Sequence, residues 1–237
     1  MMRILSITTS LSEDSTTLKL SNKIIAAAAS AAEAAGLSAE TDHINVRNLS
    51  SDLTDMALTG FRSENLEAAF AQVAEAEVIV TVAPVYKVAP VGLHTLFWQL
   101  IDEKALASKP VLIGSTGGTP RHSLAGENVL RPMLSYLKGI VVPTTVFAAT
   151  DDWGSIEGGR SLNARIAQAS EELIGLAASL NGAGADSSAG PADEGDDTDT
   201  ASTTTGEFGR RGARRNPSID DEFDPELITP FAQLLEG

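Results

Sequence analysis

Residues 78–83, VIVTVA, are apolar almost without interruption, and a strand of that composition has to be covered on both faces. A half-buried strand alternates apolar with polar residues. This one does not, which marks a parallel sheet flanked by helices. The surrounding sequence supplies the other parts. Residues 3–8, RILSIT, and 110–115, PVLIGS, read as further buried strands, 39–46 as a weaker one and 140–149 as a fifth. Helical patterns lie between them. Leu20, Ile24, Ala28, Ala31 and Ala35 form one stripe that stops at Gly36, and Leu66, Phe70 and Val73 form a second over 63–76. Leu93, Leu96, Phe97, Leu100 and Ile101 follow the i, i+3, i+4, i+7, i+8 spacing of a third. Helices over 124–138 and 160–180 complete the alternation. The pattern predicts a doubly wound α/β domain over residues 1–180, with right-handed crossovers placing helices on both faces.

From 181 onward the composition changes. NGAGADSSAGPADEGDDTDTASTTTGE is Gly, Ser, Thr and acid, with no aliphatic stripe to offset the entropy of ordering, so 181–216 is expected to be a disordered acidic linker. Residues 217–237 regain Ile219, Phe223, Leu227, Ile228, Phe231, Leu234 and Leu235. That segment reads either as a docking element, in places a short helix, or as a tail with chance hydrophobics.

The formal charge of −15, more than half of it in residues 181–237, argues against a nucleic-acid partner, whose binding rests on Lys and Arg. With no cysteine and three scattered histidines (His43, His94, His122), no disulfide framework and no metal site are expected. The start, MMRILSITTS, lacks a signal-peptide pattern, and no run approaches the roughly 18 apolar residues of a membrane-spanning helix. A cytoplasmic protein is the expectation.

Open α/β sheets bind ligands beyond the carboxyl ends of their strands, so the loops there are the places to look. After the first strand come Thr9, Ser10, Leu11, Ser12, Glu13, Asp14, Ser15, Thr16 and Thr17. Hydroxyls gathered at a helix N-terminus, with its free N–H groups and positive dipole end, suit an anion such as a phosphate. Capping the helix accounts for one of Ser15 and Thr16 and leaves the other hydroxyls unexplained. Neither GxGxxG nor GxxxxGK[ST] is present, so the loop is not a usual dinucleotide or P-loop site. The third strand is followed by Pro84, Val85, Tyr86, Lys87, Val88, Ala89, Pro90, Val91 and Gly92, a restrained loop with Tyr86 placed to stack on a planar ligand and Lys87 to offset negative charge. The fourth leads into Thr116, Gly117, Gly118, Thr119, Pro120, Arg121 and His122. Paired glycines there permit positive φ and close approach of the backbone to a ligand, and Arg121 is a candidate to contact a cofactor phosphate.

A hydroxyl-rich loop, then PVYK…GL, then a strand ending in STGGT followed by RHS and a later RP, resembles the NAD(P)H-dependent FMN reductases of the flavodoxin-like superfamily. In particular it is similar to the branch that supplies reduced FMN to two-component monooxygenases, alkanesulfonate and luciferase-like ones among them. The resemblance covers about residues 2–180 and implies a five-stranded parallel sheet in the order 2-1-3-4-5. It implies FMN and either NADH or NADPH as cofactors, hydride transfer to flavin N5, and no side chain acting as nucleophile or general base. Ser10, Ser12, Ser15, Thr16 and Thr17 would hold the FMN phosphate; Pro84, Val85, Tyr86, Lys87 and Val88 would border the ring, with Thr116, Gly117 and Gly118 on its other edge. A homodimer or homotetramer is implied as well, with His94 and Trp98, off the apolar stripe of their helix, as interface residues. The chain departs from other members in lacking Arg near Ser12, Asn near Thr17 and Tyr at Asn128. Pro132 cannot donate to the carbonyl of Asn128, so a local helix break is expected there. Two alternatives stay open: a reductase that keeps its FMN and passes electrons to quinones, azo dyes or metal oxyanions, and a non-catalytic flavin-binding module.

Overall fold

A computed structural model of the protein describes residues 1–12 and 15–186. Glu13, Asp14, most of the expected linker and the whole 217–237 segment lie outside the described residues.

Seven strands and seven α-helices follow one another along the described chain. The strands are β1 (Met2–Thr8), β2 (Ala39–Asn45), β3 (Val78–Tyr86), β4 (Ala89–Pro90), β5 (Pro110–Gly117), β6 (Ile140–Val141) and β7 (Val146–Ala149). The helices are α1 (Thr16–Ala34), α2 (Ser50–Thr59), α3 (Glu64–Glu75), α4 (Gly92–Leu100), α5 (Ala125–Tyr136), α6 (Asp151–Gly154) and α7 (Ile156–Asp186). The main sheet runs β2-β1-β3-β5-β6, all parallel, with β7 also paired to β5 and β4 folded back antiparallel on β3. This is the flavodoxin-like order. The expected fifth strand is divided: β6 pairs with the beginning of β5 and β7 with its end.

Alternation along the central strands explains why they read as continuous apolar runs. Val78, Val80 and Val82 face one core with Ile4, Leu112 and the α1 and α7 residues Leu20, Ile24, Leu162 and Ile166. Ile79 and Ala83 face the other, with Leu5, Ile7, Val111, Ile113 and the α3–α5 residues Leu66, Phe70, Phe97 and Leu130. Each face of the sheet is therefore sealed by helices, and each fully buried aliphatic contributes roughly 1.5–3 kcal/mol. The alanines of α1 that meet the sheet are Ala28 and Ala32, which let the helix lie close to it; of the expected stripe, Ala31 is half-buried and Ala35 exposed. A Cβ on Gly114 of β5 would come within 3.0 Å of Val82 Cγ2 and 3.2 Å of Ile24 Cδ1. The stripe ends in a Schellman turn. Gly36, at φ +74°, donates to the Glu33 carbonyl, and Leu37 donates to that of Ala32.

Several features depart from the sequence reading. The stretch between the second strand and α3, to which the sequence pattern assigns no element, holds a 3₁₀ turn, Val46–Leu49, and α2, whose Leu53 is fully buried. α5 continues through Pro132 with no break. Asn128 and Pro132 both lie on its exposed side, where water can satisfy the carbonyl that the proline leaves free. α7 extends past residue 180 to Asp186. His94 and Trp98 are fully buried rather than presented at a surface, because Thr9 and Thr81 give their polar atoms partners inside the core.

Candidate functional site

The carboxyl ends of β1, β3, β5 and β7 converge on a cavity of about 300 Å³ lined by Leu11, Ser12, Ser15, Thr16, Thr17, Pro84, Val85, Tyr86, Thr116, Gly117, Gly118 and Thr150. Its position is set by topology: β2 and β3 lie on opposite sides of β1, so the connections leaving β1 and β3 diverge to opposite faces and leave a crevice between them.

One end of the cavity is the mouth of α1. Ser15 is extended at φ −89°, ψ 131°, and its hydroxyl accepts from the Thr17 N–H at 3.1 Å, capping the helix. The remaining free N–H groups of the first turn face the same opening, with the positive end of the helix dipole behind them. Thr17 and Thr116 are buried and share a hydrogen bond of 2.8 Å between their hydroxyls, which ties the start of α1 to the end of β5. Ser12, Thr16 and Thr150, each with a hydroxyl, also line the cavity. Among the described residues the lining carries no charged side chain.

The other end is a tight hairpin. β3 and β4 pair through Val85 with Pro90 and Tyr86 with Ala89, leaving Lys87 and Val88 as a two-residue turn. Both stand at positive φ, 49° and 69°, the signature of a primed turn that normally carries Asn or Gly. For β-branched Val88 that conformation is strained. The turn holds the Tyr86 ring at the mouth, 54% exposed. The Val91 N–H donates back to the Pro84 carbonyl at 2.9 Å, closing the loop onto the first turn of α4.

A cavity built from a hydroxyl-lined helix mouth, a Pro-Val-Tyr hairpin and a Gly-Gly strand end gives the sequence motifs their spatial meaning. The family model of the NADPH-dependent FMN reductases matches residues 2–154, which take in every one of these elements. The chain belongs to this family.

Other members of the FMN reductase family resemble it over a shorter stretch. The NADH-dependent FMN reductase SfnF of Pseudomonas fluorescens is 34% identical over 112 residues, 47% of this chain and 60% of that protein. The FMN reductase (NADPH) of Escherichia coli is 36% identical over 113 residues, 48% of this chain and 58% of that protein. The chain thus spans about three fifths of the length of the curated relatives it matches. Among solved structures, an oxidoreductase from Corynebacterium diphtheriae superposes with a TM-score of 0.71 at 36% identity, covering 75% of this chain and 98% of that one. An apo NADH:FMN oxidoreductase superposes at 0.61 and 26% identity, covering 72% and 89%.

The cavity of this family member gathers most of the residues singled out from sequence: Ser12, Ser15, Thr16, Thr17, Pro84, Val85, Tyr86, Thr116, Gly117 and Gly118. Four others stand off its lining. Ser10 is buried behind the wall, its hydroxyl donating to the Ser12 carbonyl at 2.6 Å and its N–H to Asn45 Oδ1 at 3.2 Å, so it shapes the loop. Lys87 and Val88 occupy the exposed turn beside Tyr86, and Arg121 lies exposed in the short 3₁₀ turn Pro120–His122. Gly117 and Gly118 do not use the positive φ that glycine permits; Gly36 and Gly60 are the glycines that do among the described residues. Gly117 is small for packing instead, since a Cβ there would come within 2.9 Å of the Phe147 ring, whereas a Cβ on Gly118 would meet open space.

Two lining residues escaped the sequence reading. Leu11 sits among hydroxyls and gave no polar signal. Thr150 follows directly on β7, and a hydroxyl just past an apolar strand, VFAAT, is the signal that marks it.

Proposed function

We propose that the chain is an NAD(P)H:FMN oxidoreductase whose cavity holds FMN, with the phosphate at the mouth of α1 and the ring between the Tyr86 hairpin and Gly117–Gly118. The observation that carries this reading is the cavity itself, whose described lining is uncharged, with hydroxyl residues and the helix N-terminus at one end and an aromatic, proline-stiffened wall at the other. A terminal phosphate finds its donors at the first end without needing a cation. A flat, amphipathic ring finds Pro84, Val85 and Tyr86 at the second, with Gly117 and Gly118 lining the opposite edge. When bound, FMN would supply the redox chemistry, the exchange of a hydride with a nicotinamide cofactor. The protein's share is to bind, orient and exclude water. Lys87 and Arg121, exposed beside the mouth, are placed to meet an anionic nicotinamide cofactor.

The same features favour flavin exchange over retention. The phosphate gains no ion pair from the described lining, and the Tyr86 end opens to solvent. That suits a cytoplasmic enzyme delivering reduced FMN to a partner monooxygenase. A homo-oligomer belongs to the reading too: Tyr86, Val91, Val129 and Met133 border an apolar groove of about 510 Å³ beside the cavity, of the kind a second copy covers.

Ser15→Asp tests the assignment cleanly. Aspartate caps a helix as well as serine does, so the fold is retained, but its charge would sit against the phosphate. Titration of flavin fluorescence should show FMN affinity falling by at least about a hundredfold, close to 3 kcal/mol, with riboflavin affinity little changed. Equal FMN affinity in the variant would reduce the loop to a helix cap.

A further inference from the structure

Behind the cavity a chain of neutral polar groups is sealed in the core between α4 and the root of the loop after β1. His94 Nδ1 lies 2.8 Å from Thr9 Oγ1, and His94 Nε2 lies 2.8 Å from Thr81 Oγ1. Trp98 Nε1 donates to the same Thr81 oxygen at 3.1 Å. Thr9, Thr81 and His94 have no solvent exposure and Trp98 only 1%. Surrounding residues of this face are Leu5, Ile7, Ile79 and Phe97, so apolar side chains would fill the space without loss to the core. A buried polar chain gains little net stability over such packing, yet when fully satisfied it fixes geometry in a way that interchangeable apolar contacts do not.

What it fixes is the loop. Thr9 is the first residue after β1 and directly precedes Ser10, whose own N–H is held on the opposite side by Asn45 and whose hydroxyl is held by the Ser12 carbonyl. His94 also belongs to the first turn of α4, its N–H donating to the Val91 carbonyl while Val91 donates to Pro84. One imidazole therefore connects the frame of the hydroxyl loop to the frame of the Tyr86 hairpin, the two ends of the cavity, without touching the cavity itself. We infer that His94 is a positioning residue for FMN: through Thr9 it holds residues 10–12 in the shape the phosphate needs before the ligand arrives. The inference rests on the FMN-reductase reading above.

Three variants separate this role from a purely structural one. Thr9→Val deletes one hydroxyl at nearly constant shape. His94→Gln sets its amide near the Nε2 position and abandons Thr9, whereas His94→Asn sets its amide near Nδ1 and keeps Thr9. Each is compared with wild type by cooperative melting, FMN titration, and steady-state KM and kcat with NADPH. Thr9→Val and His94→Gln should raise the FMN Kd and KM by about tenfold or more while kcat at saturating FMN stays within about threefold, and His94→Asn should recover most of the affinity. Thr9→Val, the mildest change, decides the matter if a His94 variant fails to fold. FMN Kd and KM within about twofold of wild type in a folded Thr9→Val would overturn the inference while leaving the functional reading intact. A wild-type protein that neither binds FMN nor oxidises NADPH in its presence would overturn both.

Discussion

Ser15 closes a loop and opens a helix with one hydroxyl, and its other lone pair and proton remain beside the cavity; that economy is why the capping and binding interpretations of the same residue coexist. His94 shows the opposite case, a titratable side chain withdrawn from any surface. Burial pushes its imidazole down to about 3, and its partners Thr9, Thr81 and Trp98 are all uncharged. The ring is therefore neutral in the fold at any pH well above that value, whereas in the unfolded chain it takes up a proton near the ordinary 6.5. Between pH 6.5 and about 3 the unfolded chain binds the extra proton, so stability falls as pH falls across that window, at about 1.4 kcal/mol per unit from this group. Urea unfolding of wild type and His94→Gln at pH 7, 6 and 5 isolates the contribution, since His43 and the carboxylates are common to both. Wild type should lose stability more steeply below pH 6.5. Parallel pH profiles would mean that the imidazole is not held neutral.

At the scale of elements, the seat of α1 on the sheet matters most, because the mouth of that helix is one end of the cavity. Gly114 makes the close approach possible, with Val82 and Ile24 occupying the space a side chain would need. Gly114→Val should cost about 1–3 kcal/mol in urea unfolding by overpacking, with the m-value unchanged, and should weaken FMN binding as α1 is pushed outward. An unaltered midpoint would show that the helix has room to spare. The hairpin of Lys87 and Val88 is the other decisive element: its left-handed residues present Tyr86 at the mouth, and no residue type in VYKVAP signalled a primed turn.

At the scale of the whole molecule, charge is the dominant property. A chain of formal charge −15 would repel the anionic flavin and the more anionic nicotinamide cofactor proposed for the cavity. Raising ionic strength from about 10 mM to about 150 mM shortens the screening length from roughly 30 to 8 Å, so kcat/KM for NADPH should rise severalfold. A fall with salt would place control instead in local attraction to Lys87 and Arg121. Among the described residues no helix is long and apolar enough to cross a membrane.

The sequence by itself determined the sheet and most of the cavity. An apolar strand such as VIVTVA has a single stable environment, between two helical layers, and once the strands are parallel their carboxyl ends must share an edge. Ser12, Ser15, Tyr86 and Gly118 were legible because loop position follows from strand order alone. Tertiary structure decided what local pattern does not encode. Whether His94 and Trp98 faced solvent or core depended on Thr9 and Thr81, distant in sequence, arriving to satisfy them. Whether Gly117 served the backbone or its neighbour depended on Phe147 from another strand. Which hydroxyls reached the cavity depended on Asn45 and Ser12 turning Ser10 aside. Periodicity reports which face of an element is buried, but a polar group's fate is settled by the partner it meets there, and that partner is chosen only when the chain closes on itself.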